Sequence, residues 1–238
     1  MLQTKELIYQ DAETPCRGFI AYDDTHKQPK PCVLIAHDWS GRNEFVCKKA
    51  EQLASMGYVG FAIDMYGNAR IGKTNEEKSA LIAPLVANRP ALARRIMAAF
   101  TTALTLPEVN PTHIAAMGYC FGGLCVLDLA RTGSNVNGVV SFHGLLTAPD
   151  ITICKQIRAS ILVLHGYDDP LAPPTQVHRF AQEMTERKAD WQLHMYGNTK
   201  HSFTNPLAND AANGLVYNAK ADRRSWNNAE LFFKELFA

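Results

Sequence analysis

Short apolar runs punctuate this chain at residues 32–36, 58–63, 114–117, 136–142 and 161–165, and a glycine, histidine or aspartate follows each of them. Runs of this length, too short for long helices, fit strands buried on both faces. Between them lie stretches with apolar residues at helical spacing, predicting helices near 44–56, 90–104, 124–130, 173–188 and 222–237, with a further strand at 191–196. The last helix carries its apolar face on Trp226, Ala229, Phe232, Phe233 and Leu236. Residues 3–10 and 16–22 read as an antiparallel strand pair at a sheet edge, separated by the turn-forming stretch 11–15. Polar, proline-containing 23–31 reads as a loop, and 64–88 and 143–156 read as irregular. Repeated strand–helix–strand units predict an α/β chain with a mostly parallel, doubly wound sheet and helices on both faces. No repeat or linker interrupts the alternation, so a single domain over 1–238 is expected. Ligands of such folds bind at the carboxyl ends of the strands.

Charge narrows the partners. Basic and acidic side chains nearly cancel, 24 against 23, with no basic stripe or acidic run. Nucleic acid and anionic membrane surfaces are therefore not expected partners. The first residues lack an apolar signal region and no apolar stretch reaches the ~18 residues of a membrane span, which predicts a cytoplasmic protein. The six cysteines, at 16, 32, 47, 120, 125 and 154, lack the C-x-x-C spacing of a zinc site, and reduced thiols are expected.

One of those cysteines sits differently from the rest. The run at 114–117 feeds Gly118-Tyr119-Cys120-Phe121-Gly122 and then a helical segment. This G-x-C-x-G pattern is the thiol form of a nucleophile elbow, in which the central residue adopts a strained backbone and glycine on either side avoids a clash. Cys120 is expected to stand exposed at the strand end, with the positive end of the next helix favouring a thiolate. The Phe121 amide is expected to face a developing oxyanion.

Two later stretches supply partners. His165-Gly166-Tyr167-Asp168-Asp169-Pro170 runs from a strand end into two acids. The spacing selects Asp169 as the acid that orients a histidine, leaving Asp168 as a turn or helix-cap residue. His201, just beyond the last strand, completes the order nucleophile, acid, histidine. His26 and His178 read as surface residues, whereas His37, His143 and His165 stand at strand ends and are expected to line a pocket. The loop Ala36-His37-Asp38-Trp39-Ser40-Gly41 should supply a second oxyanion amide, that of Trp39. Asp38 either restrains Cys120 by like-charge repulsion or caps the following helix.

Taken together, the elbow, the H-G-Y-D-D-P stretch, His201-Ser202-Phe203 and the 36–41 loop resemble the dienelactone hydrolase family, a branch of the α/β-hydrolases with a cysteine nucleophile, over nearly the whole chain. The resemblance implies an α/β-hydrolase fold and a Cys120–His201–Asp169 triad. It also implies an oxyanion hole from Trp39 and Phe121, hydrolysis of a lactone or ester through a thioester, and no metal or cofactor. Asp38 replaces the glutamate that pairs with the resting cysteine in those enzymes. Asn68 and Asn205 fall where two arginines hold the substrate carboxylate, with Arg70 nearby as a substitute cation. Glutamine amidotransferases share the cysteine elbow, but their histidine is followed two residues later by glutamate, which His201-Ser202-Phe203 lacks. A non-catalytic ligand-binding protein on the same fold is the other reading, and ligand binding without turnover would distinguish it.

Overall fold

A computed structural model of the chain describes residues 1–149 and 156–238. Contacts divide it into two compact units, Met1–Met117 and Gly118–Ala238.

The first unit opens with a hairpin of β1 (Leu2–Asp11) and β2 (Thr14–Asp23), antiparallel and turning at Ala12, whose φ of 49° is left-handed. β3 (Lys30–Ala36), α1 (Glu44–Ser55) and β4 (Val59–Ala62) follow as a parallel strand–helix–strand unit. β5 (Val109–Tyr119) ends just inside the second unit, and the hydrogen-bonded order is β1-β2-β4-β3-β5. From Cys32 to Ala36 every residue of β3 is buried, as the unbroken apolar run requires. Asn43 caps α1 by accepting from the Phe45 amide, and Val46, Ala50, Leu53 and Ala54 form its buried face. The helix lies so close to β4 that a Cβ on Gly60 would stand 2.4 Å from the Ala50 carbonyl oxygen.

Residues 64–88 are more regular than the sequence predicts. α2 (Asn75–Ala87) occupies half of the stretch and starts at a capping box: Thr74 Oγ1 accepts from the Glu77 amide, and Glu77 Oε2 accepts from the Thr74 amide. Only Leu85 of this helix is buried and Pro84 interrupts it, so it carries no apolar stripe for a periodicity argument to find. α3 (Arg89–Ala103) is the expected amphipathic helix and buries Leu92, Ile96, Ala99 and Phe100. Burial of Leu92, Ile96 and Phe100 contributes roughly 1.5–3 kcal/mol each, and of Ala99 under about 1 kcal/mol. Arg95 is buried with them because its guanidinium donates to Asp11 and to the Met65 carbonyl oxygen.

In the second unit, α4 (Phe121–Arg131) is buried along its whole length. β6 (Gly138–Phe142), β7 (Ser160–Gly166) and β8 (Trp191–Tyr196) pair in parallel, in that order. α5 (Pro174–Glu186) connects the last two strands, and α6 (Ala219–Leu236) ends the unit. α6 buries Ala221, Ser225, Ala229, Phe232 and Phe233, while Trp226 and Leu236 are half-buried. Arg131 is tolerated in the interior because Asp128 at 3.1 Å and Glu183 at 2.7 Å neutralise it. A short ribbon of β9 (Asn209–Asp210) and β10 (Leu215–Val216), which the sequence pattern does not predict, follows the last long strand. Part of the stretch read as irregular, and Cys154 with it, falls at 150–155, outside the described residues. Among the described residues no helix is long and apolar enough to cross a membrane.

Candidate active site

Cys120, Asp169 and His201 each stand within a few residues of the carboxyl end of a strand, those of β5, β7 and β8. Cys120 follows β5 and is the N-cap of α4 with φ 54° and ψ −114°, a conformation costing an L residue ~1–3 kcal/mol. The surroundings enforce it: the Cys120 amide donates to the Phe142 carbonyl oxygen at 3.0 Å, and its own carbonyl oxygen accepts from Gly123 at 3.0 Å. Gly118 is obligatory here, because a Cβ would meet the Gly122 carbonyl oxygen at 2.1 Å. The thiol is half-buried rather than fully exposed, and the helix that begins at Phe121 presents its positive end to it.

Asp169 and His201 are both buried and form an ion pair, with Nδ1 of His201 2.7 Å from Oδ2 of Asp169. A carboxylate can only accept, so Nδ1 is the donor and the ring presents Nε2 to other groups. The other oxygen of Asp169 accepts from the Leu171 amide at 2.8 Å, which fixes the carboxylate plane. Asp168, by contrast, is exposed, and its amide donates to the Thr199 carbonyl oxygen. The helix-cap alternative for Asp168 does not hold, since Pro173 occupies the N-cap of α5.

Burial alone would lower the pKa of His201. Cys120 opposes this most strongly, joined by the hydrogen bond and charge of Asp169, and together they raise it to about 10. Nε2 makes no aligned hydrogen bond at rest; the Cys120 thiol is the group that acts on it, and such bonds often tighten only with substrate present. The loop bearing His201 is tied down by β10: the Val216 amide donates to the His201 carbonyl oxygen at 3.0 Å, and the Asn218 amide to that of Phe203 at 3.1 Å.

His26 and His178 are exposed, as expected. The strand-end histidines are more deeply set than pocket-lining residues, at 0, 2 and 0 % exposure for His37, His143 and His165. His143 packs edge-to-face on His201, a contact the sequence reading missed; its position at a strand end was the only available signal.

The remaining candidates belong to the first unit, apart from Asn205. Asp38 turns its carboxylate to its own loop, accepting from the Ser40 amide at 2.8 Å; the helix-cap alternative fails because Asn43 caps α1. His37 Nδ1 donates to the Asp38 carbonyl oxygen at 2.6 Å while Nε2 accepts from the Met65 amide at 3.2 Å. With the Trp39 carbonyl held by the Tyr66 hydroxyl at 2.9 Å, both peptide planes of Trp39 are fixed. Asn68 is exposed and left-handed, at φ 54°, on a turn organised by Asp64, which accepts from the amides of Arg17, Tyr66, Gly67 and Ala69. Arg70 directs Nε and Nη2 to the Tyr66 carbonyl oxygen and lines a cavity of about 180 Å³ with Tyr66, Leu81 and Arg95. Asn205 spends its Oδ1 on the Leu207 amide, closing a turn.

The five described cysteines are free thiols, and the described residues contain no cluster of histidine, cysteine and carboxylate groups arranged to hold a metal.

Comparison with known proteins agrees in one direction. A profile of the dienelactone hydrolase family matches residues 17–237. A dienelactone hydrolase-like promiscuous phosphotriesterase, P91, from metagenomic libraries is 35% identical, with a TM-score of 0.94 over 99% of this chain and 98% of its own. The structure named m3DLH is 32% identical, with a TM-score of 0.95 over 100% and 99% of the two chains. A Caenorhabditis elegans protein, K02A2.1, is 38% identical over 150 residues, covering 62% of this chain and 95% of that one.

Proposed function

Because this chain belongs to the dienelactone hydrolase family, we propose that it hydrolyses a lactone or activated ester through a thioester on Cys120, with His201 and Asp169 completing a triad. The observation that carries this reading is the buried Asp169–His201 pair, 2.7 Å long, together with an elbow that holds Cys120 at a left-handed φ of 54° at the start of α4; against burial, Cys120 and Asp169 both push the imidazole pKa up.

In the resting site Cys120 and His201 share a proton, and the raised imidazole pKa favours its residence on His201. The thiolate attacks the substrate carbonyl carbon, forming a C–S bond while the carbonyl π pair moves to oxygen. The Phe121 amide, at the start of α4, is the proposed donor to that oxyanion. Collapse breaks the C–O bond, and the Nε2 proton passes to the leaving oxygen. Water then gives one proton to Nε2 and adds to the thioester carbonyl. The second tetrahedral intermediate expels the thiolate, regenerating the pair and releasing the acid. Asp169 fixes the tautomer and stabilises the charged ring throughout. Enolates and aryloxides suit this site, because a thiolate leaves more readily than most alkoxides and ordinary alkyl esters would revert.

The 35% identity to a promiscuous phosphotriesterase supports a second substrate class for the same residues, with thiolate attack at phosphorus in place of carbon. The test is a panel of enol lactones, aryl esters, thioesters and an aryl phosphotriester against wild type and Cys120→Ala. Hydrolysis that vanishes in Cys120→Ala is expected. Wild-type turnover by the folded alanine variant would refute the nucleophile, and stoichiometric binding without turnover would favour a ligand-binding protein.

A further inference from the structure

Given the reading of His201 as the proton carrier, on which this inference rests, we propose that His143 is its positioning residue, seating the imidazole through ring contact and through a hydrogen bond to Thr204. Three observations converge on this. The His143 ring meets that of His201 edge-to-face, with centroids 5.0 Å apart and planes at 68°, and meets Phe203 in the same manner at 5.1 Å. Its Nε2 lies 2.8 Å from Oγ1 of Thr204, three residues beyond His201 on the same loop, and both residues are buried. Finally, the backbone that carries it is fixed: His143 sits just past β6 at a left-handed φ of 39°, and its amide donates to the Leu164 carbonyl oxygen of β7 at 2.9 Å. Gly144 beside it packs so tightly that a Cβ would lie 2.2 Å from Ser141 Oγ.

The need for such a residue follows from the geometry of the triad. The covalent link at Cγ and the Asp169 bond at Nδ1 hold one edge of the His201 ring, so rocking about Cβ–Cγ, which swings Nε2, is opposed by the Nδ1···Oδ2 bond alone unless a neighbour packs against the ring. A flat neighbour on the strand frame blocks that rocking, and the Thr204 bond prevents the loop from carrying His201 away from it. Thr204 is reached across Ser202, left-handed at φ 58°, and its bond to His143 adds a side-chain tie to the main-chain bonds that Val216 and Asn218 make to the same loop. Phenylalanine at 143 would supply the ring without the bond, and glutamine the bond without the ring; histidine supplies both. The titratable groups acting around His201 are Cys120, Asp169, His143 and His165. Burial and the His201 charge hold His143 well below its ordinary value, so it stays neutral and does not compete for the catalytic proton.

Thr204→Val, close in shape to threonine, is the primary variant, with Thr204→Ser as its hydroxyl-retaining control and His143→Phe and His143→Gln as complements, all in the full chain. With a neutral aryl ester, Thr204→Val and His143→Phe should each lower kcat about tenfold, the scale of one buried hydrogen bond. KM should stay within ~2-fold, and the alkaline limb of kcat/KM should move below that of wild type; a residue that only stabilises the fold would lower Tm and leave that limb in place. Thr204→Ser should retain wild-type kcat, and His143→Phe combined with Thr204→Val should be no worse than either alone. Folded Thr204→Val with an unchanged limb and kcat within ~2-fold of wild type would overturn the proposal, as would independent, additive losses in the double variant. His201→Gln separates the two readings. If it is inactive while Thr204→Val is normal, only the positioning role fails; if it is active, the triad fails with it.

Discussion

Replacing Asp169 by asparagine exchanges one carboxylate oxygen for an NH₂ group and should distinguish it sharply from its neighbour. The carboxylate accepts the Nδ1 proton of His201 at 2.7 Å with both side chains wholly buried, so solvent cannot substitute for it. A hydrogen bond to a charged group contributes ~1.5–3 kcal/mol, a factor of roughly 10–150 in rate if the interaction develops fully in the transition state. Asparagine adds a second loss: its NH₂ can donate to Nδ1 and stabilise the tautomer with hydrogen on Nε2, which cannot take the thiol proton, and the same error in serine triads reaches ~10⁴. Asp169→Asn should therefore reduce kcat by ~10²-fold or more, with a far smaller change in KM. Asp168→Asn, at an exposed side chain whose main-chain bond to Thr199 is retained, should stay within ~10-fold of wild type. The assay is initial-rate hydrolysis of a neutral aryl ester, with circular dichroism confirming that both variants fold. Equal losses in the two variants, or a fully active Asp169→Asn, would refute the assignment of the acid.

The pH dependence follows from His201, raised from 6.5 to about 10. Its charged form contributes stability that is fully present below pH 6.5 and lost as pH rises through about 10. Denaturant titrations across that window should thus show a steeper decline in wild type than in His201→Gln, and kcat/KM should fall on an alkaline limb near pH 10; a flat profile to higher pH would contradict both. Gly118→Ala, whose Cβ would meet the Gly122 carbonyl oxygen at 2.1 Å, should destabilise the protein by ~1–3 kcal/mol and lower kcat by displacing Cys120, checked by Tm and rate together. If Asn68 and Asn205 take the places of the two carboxylate-binding arginines, as the family resemblance implies, neutral substrates should be favoured over carboxylated lactones by ~10²-fold in kcat/KM, because neither asparagine supplies a charge-assisted bond to a carboxylate. Comparing a carboxylated lactone with its methyl ester in wild type and Arg70→Ala tests this; preference for the free acid in both proteins would defeat it.

The chain's strands were legible because their burial leaves a mark in composition: β3 and β7 are almost wholly buried and read as unbroken apolar runs. The elbow was legible for a steric reason, since glycine at 118 is the only residue that fits against Gly122. α2 escaped because it is held by a capping box at Thr74 and Glu77 and buries Leu85 alone, so periodicity had nothing to register. The two-residue strands of the ribbon beside His201 are too short for any alternation to appear. His143 was placed at a strand end but read as part of a pocket wall. Its contact with His201 depends on a left-handed backbone and on a threonine 61 residues away in sequence, which no local pattern encodes.

The central claim, a covalent thioester on Cys120, can be observed directly. An activated ester with a slowly hydrolysed acyl group should give a burst of leaving group equal to the enzyme concentration. Acid quenching within the burst, followed by intact-mass and peptide analysis, should find one acyl group on the peptide containing Cys120, and none in Cys120→Ala. A burst-free time course with unmodified Cys120 under conditions where deacylation is slow, or an acyl group on another residue, would contradict the account.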